Sequence, residues 1–306
     1  ETASTVSSRG VYKFPVEDKK SATYDDHQCS SYDVEACSWS NIPDEDFALA
    51  DDNHWTIGQF VWTGFDYLGE PSPYDTNAWP NHSSMFGIID LASIPKDRYY
   101  LYRSVWNKKA ETLHILPHWT WPGREGKVTP VFVYTNHPTA ELFINGKSYG
   151  KQSKNNSSLK NRYRLMWMDA VYEPGEIKVV AYNKDGKAVA EKIVRTAGKP
   201  HHIELVSNRN ELTADGKDLA YITVKVVDKD GNLCPADSRQ INFSVKGAGK
   251  YRAAANGDPT NLEQFHLPKM HTFNGMLTAI VQSGETAGEI VLTAKASGVK
   301  AGNIRI

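Results

Sequence analysis

The apolar residues of this chain follow two kinds of spacing, and the change comes near residue 108. Before that point, the most regular pattern lies in residues 56–74, TIGQFVWTGFDYLGEPSPY. In an extended chain, one side would carry Ile57, Gln59, Val61 and Thr63, and the other side would carry Phe60 and Trp62. Gly64 and the proline-containing stretch 69–73 interrupt the alternation. The pattern predicts a buried strand that ends in a loop.

Three side chains at the end of this predicted strand could carry chemistry, namely Trp62, Asp66 and Glu70. In a parallel barrel, binding and catalytic groups lie at the carboxyl ends of the strands, so these side chains would face the site. The alternative is structural, with Trp62 and Phe65 as core aromatics. Composition alone favours this structural interpretation.

A helix is predicted just before the spacing changes. Pro95 suits the first turn of a helix. The residues that follow include four apolar or aromatic ones on one helical face, Leu101, Tyr102, Val105 and Trp106. We expect this helix to pack on the outside of a sheet.

From about residue 108, short alternating runs are separated by dipeptides typical of β-hairpin turns, namely Asn145-Gly146, Asp185-Gly186, Asp215-Gly216 and Asp230-Gly231. The run 221–227 alternates apolar and polar residues, as expected for a strand with one buried face. Residues 108–306 are predicted to form two β-sandwiches of roughly 90 to 110 residues each, near the size of an immunoglobulin-like domain. Gly198 and Pro200 place the boundary between them within residues 197–201.

Composition excludes several classes of function. At 306 residues the chain has room for two or three domains, and its 35 Lys and Arg nearly cancel its 36 Asp and Glu. Without a basic run, nucleic acid is not an expected ligand. No apolar stretch reaches the roughly 18 residues of a membrane span. The 8 Trp and 15 Tyr suit stacking on sugar rings, although β-rich cores also use aromatic residues.

We expect no metal site and no disulfide framework. The three cysteines lack metal-ligand spacing, and free thiols are favoured over a Cys29–Cys37 pair. The histidine pairs 114/118 and 201/202 and the acidic turn at 256–259 could bind a metal or calcium ion, but each is better explained structurally. Trp119 and Trp121 could form a sugar-binding platform, although filling a domain interface is favoured.

Five segments in order resemble glycoside hydrolase family 2, in particular its β-galactosidase-like members from glycan-degrading bacteria. They are ETASTVSSRGVY at 1–12, the strand and loop at 56–74, HILPHWTWPG at 114–123, ELFINGKSYGK at 141–151 and NGDPTNLEQF at 256–265. The resemblance covers essentially the whole chain. It implies a mixed fold, the C-terminal part of a (β/α)8 TIM barrel at 1–107 followed by two all-β immunoglobulin-like sandwich domains at 108–199 and 200–306.

The resemblance also implies a catalytic site. In the family, the Glu that opens the ETAS-like motif is the nucleophile of a retaining glycosidase, which maps to Glu1. Such enzymes need a second carboxyl group about 5 to 5.5 Å away as acid/base, and the family supplies it from an earlier barrel strand that this sequence does not contain. We therefore expect a carboxy-terminal fragment that is inactive alone.

The substrate-binding residues implied by the resemblance are Trp62, as a wall under the galactosyl ring, with Asp66 and Glu70 either bonding sugar hydroxyls or fixing the loop. The expected ligand is an oligosaccharide or galactoside, with β-mannosides and β-glucuronides as alternatives within the family. No organic cofactor is implied, although some members use Mg²⁺ or Na⁺. Homo-oligomerisation and a periplasmic or secreted location are further expectations. The alternative function is a non-catalytic carbohydrate-binding or structural module.

Overall fold

The computed structural model describes residues 2–306, so Glu1, the predicted nucleophile, lies outside the described residues. The chain forms two compact units. The first unit holds the described part of Glu1–Asp90 together with Pro95–Thr196. The second unit holds Leu91–Ile94 and Ala197–Ile306.

The first hundred residues of the first unit contain few regular elements. Strands β1 (Lys19–Lys20) and β2 (Glu35–Ala36) pair in parallel. Helix α1 spans Pro43–Asp52, a short 3₁₀ helix spans Asp75–Asn77, and helix α2 spans Asp97–Trp106. Most residues of this stretch therefore lie in turns and loops.

The regular strand predicted within residues 57–63 is not formed. Val61 makes a single parallel bridge with Thr2, and no ladder extends from it among the described residues. Gly58, at a φ of 134°, takes the backbone out of the extended conformation. The prediction was wrong because alternation reports which side each residue faces, whereas a strand also needs continuous pairing with a neighbour. The TIM-barrel part of the fold stays a prediction.

Residues 113–195 form a β-sandwich. Its elements are β3 (Leu113–Leu116), β4 (Val131–Thr135), β5 (Thr139–Ile144), β6 (Lys147–Ser153), helix α3 (Leu159–Tyr163), β7 (Leu165–Trp167), β8 (Glu176–Tyr182) and β9 (Ala188–Arg195). The strands form two antiparallel sheets, β3-β4-β7 and β6-β5-β8-β9. Side chains from both sheets share one apolar core that includes Val131, Val133, Leu142, Ile177 and Val179.

The predicted Asn145-Gly146 turn joins β5 to β6. Its two residues have φ values of 48° and 81°. Positive φ at both central residues is what a type I′ hairpin turn requires, and Asn-Gly adopts it at little cost. The sequence signal for this hairpin is confirmed.

Helix α2 confirms the predicted helix and begins at Asp97, two residues after Pro95. Leu101 and Tyr102 are buried and share a hydrophobic cluster with Phe47 of α1 and Phe132 of β4. This cluster spans the predicted domain boundary at 107/108, because its members come from both sides of it. That boundary stays a prediction.

The second unit is also a β-sandwich. Its strands are β10 (His202–Ser207), β11 (Leu219–Val227), β12 (Gln240–Gly247), β13 (Gly249–Ala255), β14 (Lys269–His271), β15 (Met276–Ser283), β16 (Ile290–Lys295) and β17 (Gly302–Arg305). They form the sheets β10-β11-β15-β13 and β14-β12-β16-β17. In β11, Ile222, Val224 and Val226 are fully buried while the intervening residues are not, as the alternation predicted.

Two further expectations concern the state of the cysteines and the presence of a membrane span. Cys29, Cys37 and Cys234 are all buried and carry free thiols. Across residues 2–306, none of the helices has the length and apolar character needed to cross a membrane.

Candidate functional site

The start of the described chain lies beside the segment that holds Trp62. The backbone N–H of Thr2 donates to the carbonyl of Phe60 at 2.9 Å, and the N–H of Trp62 donates back to the carbonyl of Thr2 at 2.9 Å. The Thr2 hydroxyl also donates to Gln59 Oε1 at 3.1 Å. The residue after the predicted nucleophile is thus paired with the segment that carries the predicted sugar-binding Trp.

Residues 62–70, which we call the Trp62 loop, are bonded along a second segment, residues 82–89. The N–H of Asp66 donates to the carbonyl of Ile89 at 2.9 Å, and the N–H of Gly69 donates to the carbonyl of His82 at 2.7 Å. These contacts hold the middle of the loop and its carboxyl end against residues 82–89.

Two of the predicted substrate-binding side chains, Trp62 and Glu70, are linked through Tyr67. The indole Nε1–H of Trp62 donates to the Tyr67 hydroxyl at 3.2 Å. The Tyr67 hydroxyl in turn lies in a short contact with Glu70 Oε2. Burial, reinforced by the Glu70 carboxylate, raises the pKa of Tyr67 to about 12. Trp62 keeps 37 % of its surface exposed, so part of the residue is accessible to a ligand.

Asp66 is placed differently from the other two and is buried, with 8 % of its surface exposed. Its Oδ2 lies 2.6 Å from Nζ of Lys96, and its Oδ1 accepts the N–H of Gly87 at 2.8 Å. Burial raises the pKa of Asp66 to about 6, against the opposing effect of the Lys96 ammonium. With both oxygens engaged, this geometry fits the loop-fixing role rather than contact with a sugar.

Sequence reasoning missed the buried cations that hold the segments around the loop. Lys96 donates to the carbonyl of Ser7 at 2.7 Å, and Arg98 donates to the carbonyls of Phe86 at 2.6 Å and Gly87 at 3.0 Å. A sequence signal existed, because Lys96 and Arg98 flank the N-terminus of α2, where the helix dipole disfavours cations. Such residues need other partners, and here these are backbone carbonyls and, for Lys96, also the carboxylate of Asp66.

The two tryptophans of the PHWTWPG run do not form a shared platform. Trp119 is fully buried, and its Nε1–H donates to the carbonyl of Glu173 at 2.9 Å. Trp121 stacks on His118 with ring centroids 4.1 Å apart and meets Phe14 edge-on at 5.4 Å. The pair therefore fills internal contacts of the first unit, which agrees with the favoured structural interpretation.

The histidines and acidic turns considered as metal ligands have other contacts. His114 Nε2 lies 2.6 Å from Asp97 Oδ1, and burial lowers the pKa of His118 to about 4. Asp258 Oδ1 accepts the N–H and the hydroxyl of Thr260 at 2.9 and 2.8 Å. Within residues 2–306, no group of three or more His, Cys, Asp or Glu side chains is arranged to hold a metal ion.

The known proteins that this chain resembles are bacterial glycosidases. Residues 203–305 match glycoside hydrolase family 2 C-terminal domain 5, and residues 126–190 match a domain of unknown function (DUF4982). The β-galactosidase BoGH2A of Bacteroides ovatus is 41 % identical over 315 residues, covering 100 % of this chain and 36 % of the relative. A putative β-glucuronidase of Formosa agariphila is 36 % identical over 68 % of this chain and 20 % of its own length.

The solved structures agree. A β-glycosidase from Bacteroides vulgatus superimposes with a TM-score of 0.85 at 32 % identity, covering 99 % of this chain and 40 % of that one. A glycosyl hydrolase family 2 member from Bacteroides cellulosilyticus gives a TM-score of 0.76 at 32 % identity, over 84 % and 36 % of the two chains. The chain belongs to glycoside hydrolase family 2. It spans about a third of the length of the β-galactosidase relative.

Proposed function

We propose that this chain is the carboxy-terminal portion of a retaining β-galactosidase that removes terminal β-D-galactosyl residues. The observation that carries the proposal is the 41 % identity to a β-galactosidase over the whole chain. The similarity to a putative β-glucuronidase is lower and covers only 68 % of the chain. The periplasmic or secreted location and a homo-oligomeric state are part of the same proposal and rest on the family resemblance.

In the proposed mechanism, the Glu1 carboxylate attacks the anomeric carbon to form a covalent glycosyl-enzyme. A carboxyl group from another segment of the full-length polypeptide protonates the leaving oxygen and then activates water. Trp62 provides the wall on which the apolar face of the sugar ring rests. Asp66 contributes by fixing the loop, because both of its oxygens are bonded to protein groups.

Exposed apolar side chains near the Trp62 loop support a site completed by further protein. Trp55 is 79 % exposed, Phe60 85 % and Ile57 fully exposed, all within six residues. Such clusters on a soluble domain usually mark a surface that another segment or partner covers. This agrees with the proposal that residues 1–107 are part of a larger catalytic domain.

The test compares the full-length polypeptide encoded by the source gene with the 306-residue chain on p-nitrophenyl β-galactoside, β-glucuronide and β-mannoside. We expect the full-length polypeptide to prefer the galactoside and the chain alone to show no turnover. A 2-deoxy-2-fluoro-galactoside inactivator should label Glu1, as read by peptide mass spectrometry. Preference for another glycoside would correct the substrate, and labelling elsewhere would remove Glu1 from its role.

The same assay tests Trp62. In the full-length polypeptide, Trp62→Ala should raise KM and lower kcat together, because the wall binds the sugar in the ground state and binds it more strongly in the transition state. Trp106→Ala is the matched control, since Trp106 is also partly exposed but lies at the end of α2. Unchanged kinetics of Trp62→Ala would remove Trp62 from the site.

A further inference from the structure

We infer that Tyr67 is a positioning residue: held by Glu70, it fixes the indole of Trp62 so that Trp62 meets the sugar with its ring face and not with its N–H group. The inference rests on the proposed function and assigns to Tyr67 and Glu70 roles in orienting the wall of the sugar site. Three independent features of the Trp62 loop support it.

The first feature is the direction of the hydrogen bonds. An indole Nε1–H can only donate, and a tyrosine hydroxyl has a single proton. An ionised Glu70 carboxylate only accepts, so the Tyr67 proton points to Glu70 and its lone pairs receive the N–H of Trp62. The chain Trp62 to Tyr67 to Glu70 therefore has one possible polarity, and it occupies the N–H of Trp62.

The second feature is the rigidity of Tyr67 itself. Its backbone N–H donates to Oγ of Ser84 at 3.1 Å, and its carbonyl accepts the N–H of Ser84 at 2.8 Å. The hydroxyl of Ser83 donates to the same carbonyl at 3.2 Å. Its ring meets that of Trp62 edge-on, with centroids 6.0 Å apart and an interplanar angle of 82°. The backbone of Tyr67 is thus fixed by contacts that do not involve Trp62.

The third feature is the backbone of Glu70, which adopts a φ of 49° directly after Gly69 at 101°. A non-glycine residue in the left-handed region is uncommon, and glycine would be favoured there on conformational grounds. Strained positions of this kind cluster at functional sites. A glutamate at this position is accounted for by its carboxylate, which reaches Tyr67 from there.

The consequence for recognition is specific. Because its N–H is engaged with Tyr67, Trp62 offers no hydrogen-bond donor to a sugar hydroxyl. Trp62 is partly exposed, and a pyranose presents C–H groups on one face that suit contact with an aromatic ring. Loss of Tyr67 would free the indole to rotate, so that part of the binding free energy goes to ordering it.

The first experiment uses the 306-residue chain and needs no substrate. The indole ¹⁵N–¹H resonance of Trp62 is assigned with Trp62→Phe and followed in Tyr67→Phe. We expect a shifted resonance and faster exchange with solvent, because the acceptor is lost. Tyr182→Phe is the matched control, since Tyr182 also bonds a glutamate, Glu141, at 3.0 Å but lies in the sandwich. An unchanged Trp62 resonance in Tyr67→Phe would overturn the inference.

The second experiment measures kinetics of the full-length polypeptide on the glycoside it hydrolyses best. Tyr67→Phe should raise KM about three- to tenfold, the range expected for one lost hydrogen bond. Glu70→Gly should raise KM similarly while its melting temperature is equal or higher, because glycine relieves the positive φ. A purely structural role predicts the reverse, with lower stability and unchanged KM.

The outcomes separate the two proposals. If the wild-type polypeptide is active and neither variant changes KM, the inference about Tyr67 is wrong while the proposed function stands. If the wild-type polypeptide hydrolyses no glycoside, the proposed function is wrong. In that case, the Trp62 resonance still decides whether Tyr67 holds the indole.

Discussion

Residues 2–107 and the second unit satisfy their backbone polar groups in different ways. In the second unit, eight strands bond to one another in two sheets, and the core between them is apolar. In residues 2–107, the strands β1 and β2 have two residues each. Buried N–H and C=O groups must find partners in either case. In residues 2–107, many of these backbone groups are bonded by side chains.

In residues 2–107, buried cationic side chains take the place of hydrogen bonds between strands. Arg9 pairs with Asp90 at 2.5 Å, Lys96 with Asp66 at 2.6 Å, and Arg98 donates to the carbonyls of residues 5 and 85–87. By contrast, none of the Lys or Arg residues of the second unit, all of which are described, is buried. The fold of this irregular segment therefore depends on individual buried side chains, whereas the second unit depends on hydrogen bonds between its strands.

The largest expected effect is that of Arg98→Met. It removes the donor to the buried carbonyls of Thr5 and Gly87, each at a cost of about 1–3 kcal/mol, so the first unit should lose about 2–6 kcal/mol of stability. Hydrogen exchange read by mass spectrometry should show faster exchange in peptides of residues 2–107 and little change in those of residues 203–305.

The matched control is Arg252→Met, which removes an exposed arginine from β13 of the second unit. It should change stability by no more than about 0.5 kcal/mol. Equal exchange in Arg98→Met and Arg252→Met would mean that the buried cation is dispensable and that the comparison between the two regions fails.

The pH dependence should also differ in sign between the two regions. Asp33 is fully buried, and burial raises its pKa to about 7, against the opposing charges of Arg98 and Arg164. The folded state then holds a proton that the unfolded state releases near pH 4. The free energy of unfolding should therefore fall as pH rises from about 4 to 7, by up to about 1.4 kcal/mol per pH unit.

Asp228 in the second unit behaves oppositely. Burial opposes its ionisation but is outweighed by hydrogen bonds from Asn232 and from the N–H of Gly198, which lower its pKa to about 2. Its contribution, about 2 kcal/mol, is present above pH 4 and is lost as pH falls towards 2. Urea unfolding at pH 3, 5 and 8 checks both signs. Asp33→Asn should flatten the change between pH 5 and 8, and Asp228→Asn the change between pH 5 and 3.

The difference between the regions also explains how much the sequence could predict. The strand at 221–227 and the Asn145-Gly146 hairpin were predictable because their signals are local and each matches one backbone geometry. The strand predicted within 57–63 is neither paired nor buried at Ile57 and Phe60, because pairing depends on residues far away in the chain, such as Thr2. Periodicity carries no information about that partner.

The substrate-binding roles stay predictions. The family resemblance singled out Trp62 and Glu70, and the structure links them through Tyr67, which the sequence did not indicate. The function of Asp66 was not decided by the sequence, because its partner Lys96 is thirty residues away and a lone lysine is normally a surface residue. Tyr67 was overlooked because nothing in the sequence distinguishes a tyrosine that holds a tryptophan from one that fills a core.

The smallest expected effect tests the two regions at matched isoleucines. Ile222 in β11 is fully buried, so Ile222→Val should lower the free energy of unfolding by about 0.5–1.5 kcal/mol. Ile57 beside the Trp62 loop is fully exposed, and Ile57→Val should leave the stability of the 306-residue chain unchanged within about 0.5 kcal/mol. In the full-length polypeptide, however, Ile57→Val should become destabilising if a further segment covers this surface. Identical effects in the two lengths of protein would show that the exposed apolar surface near Trp62 stays uncovered.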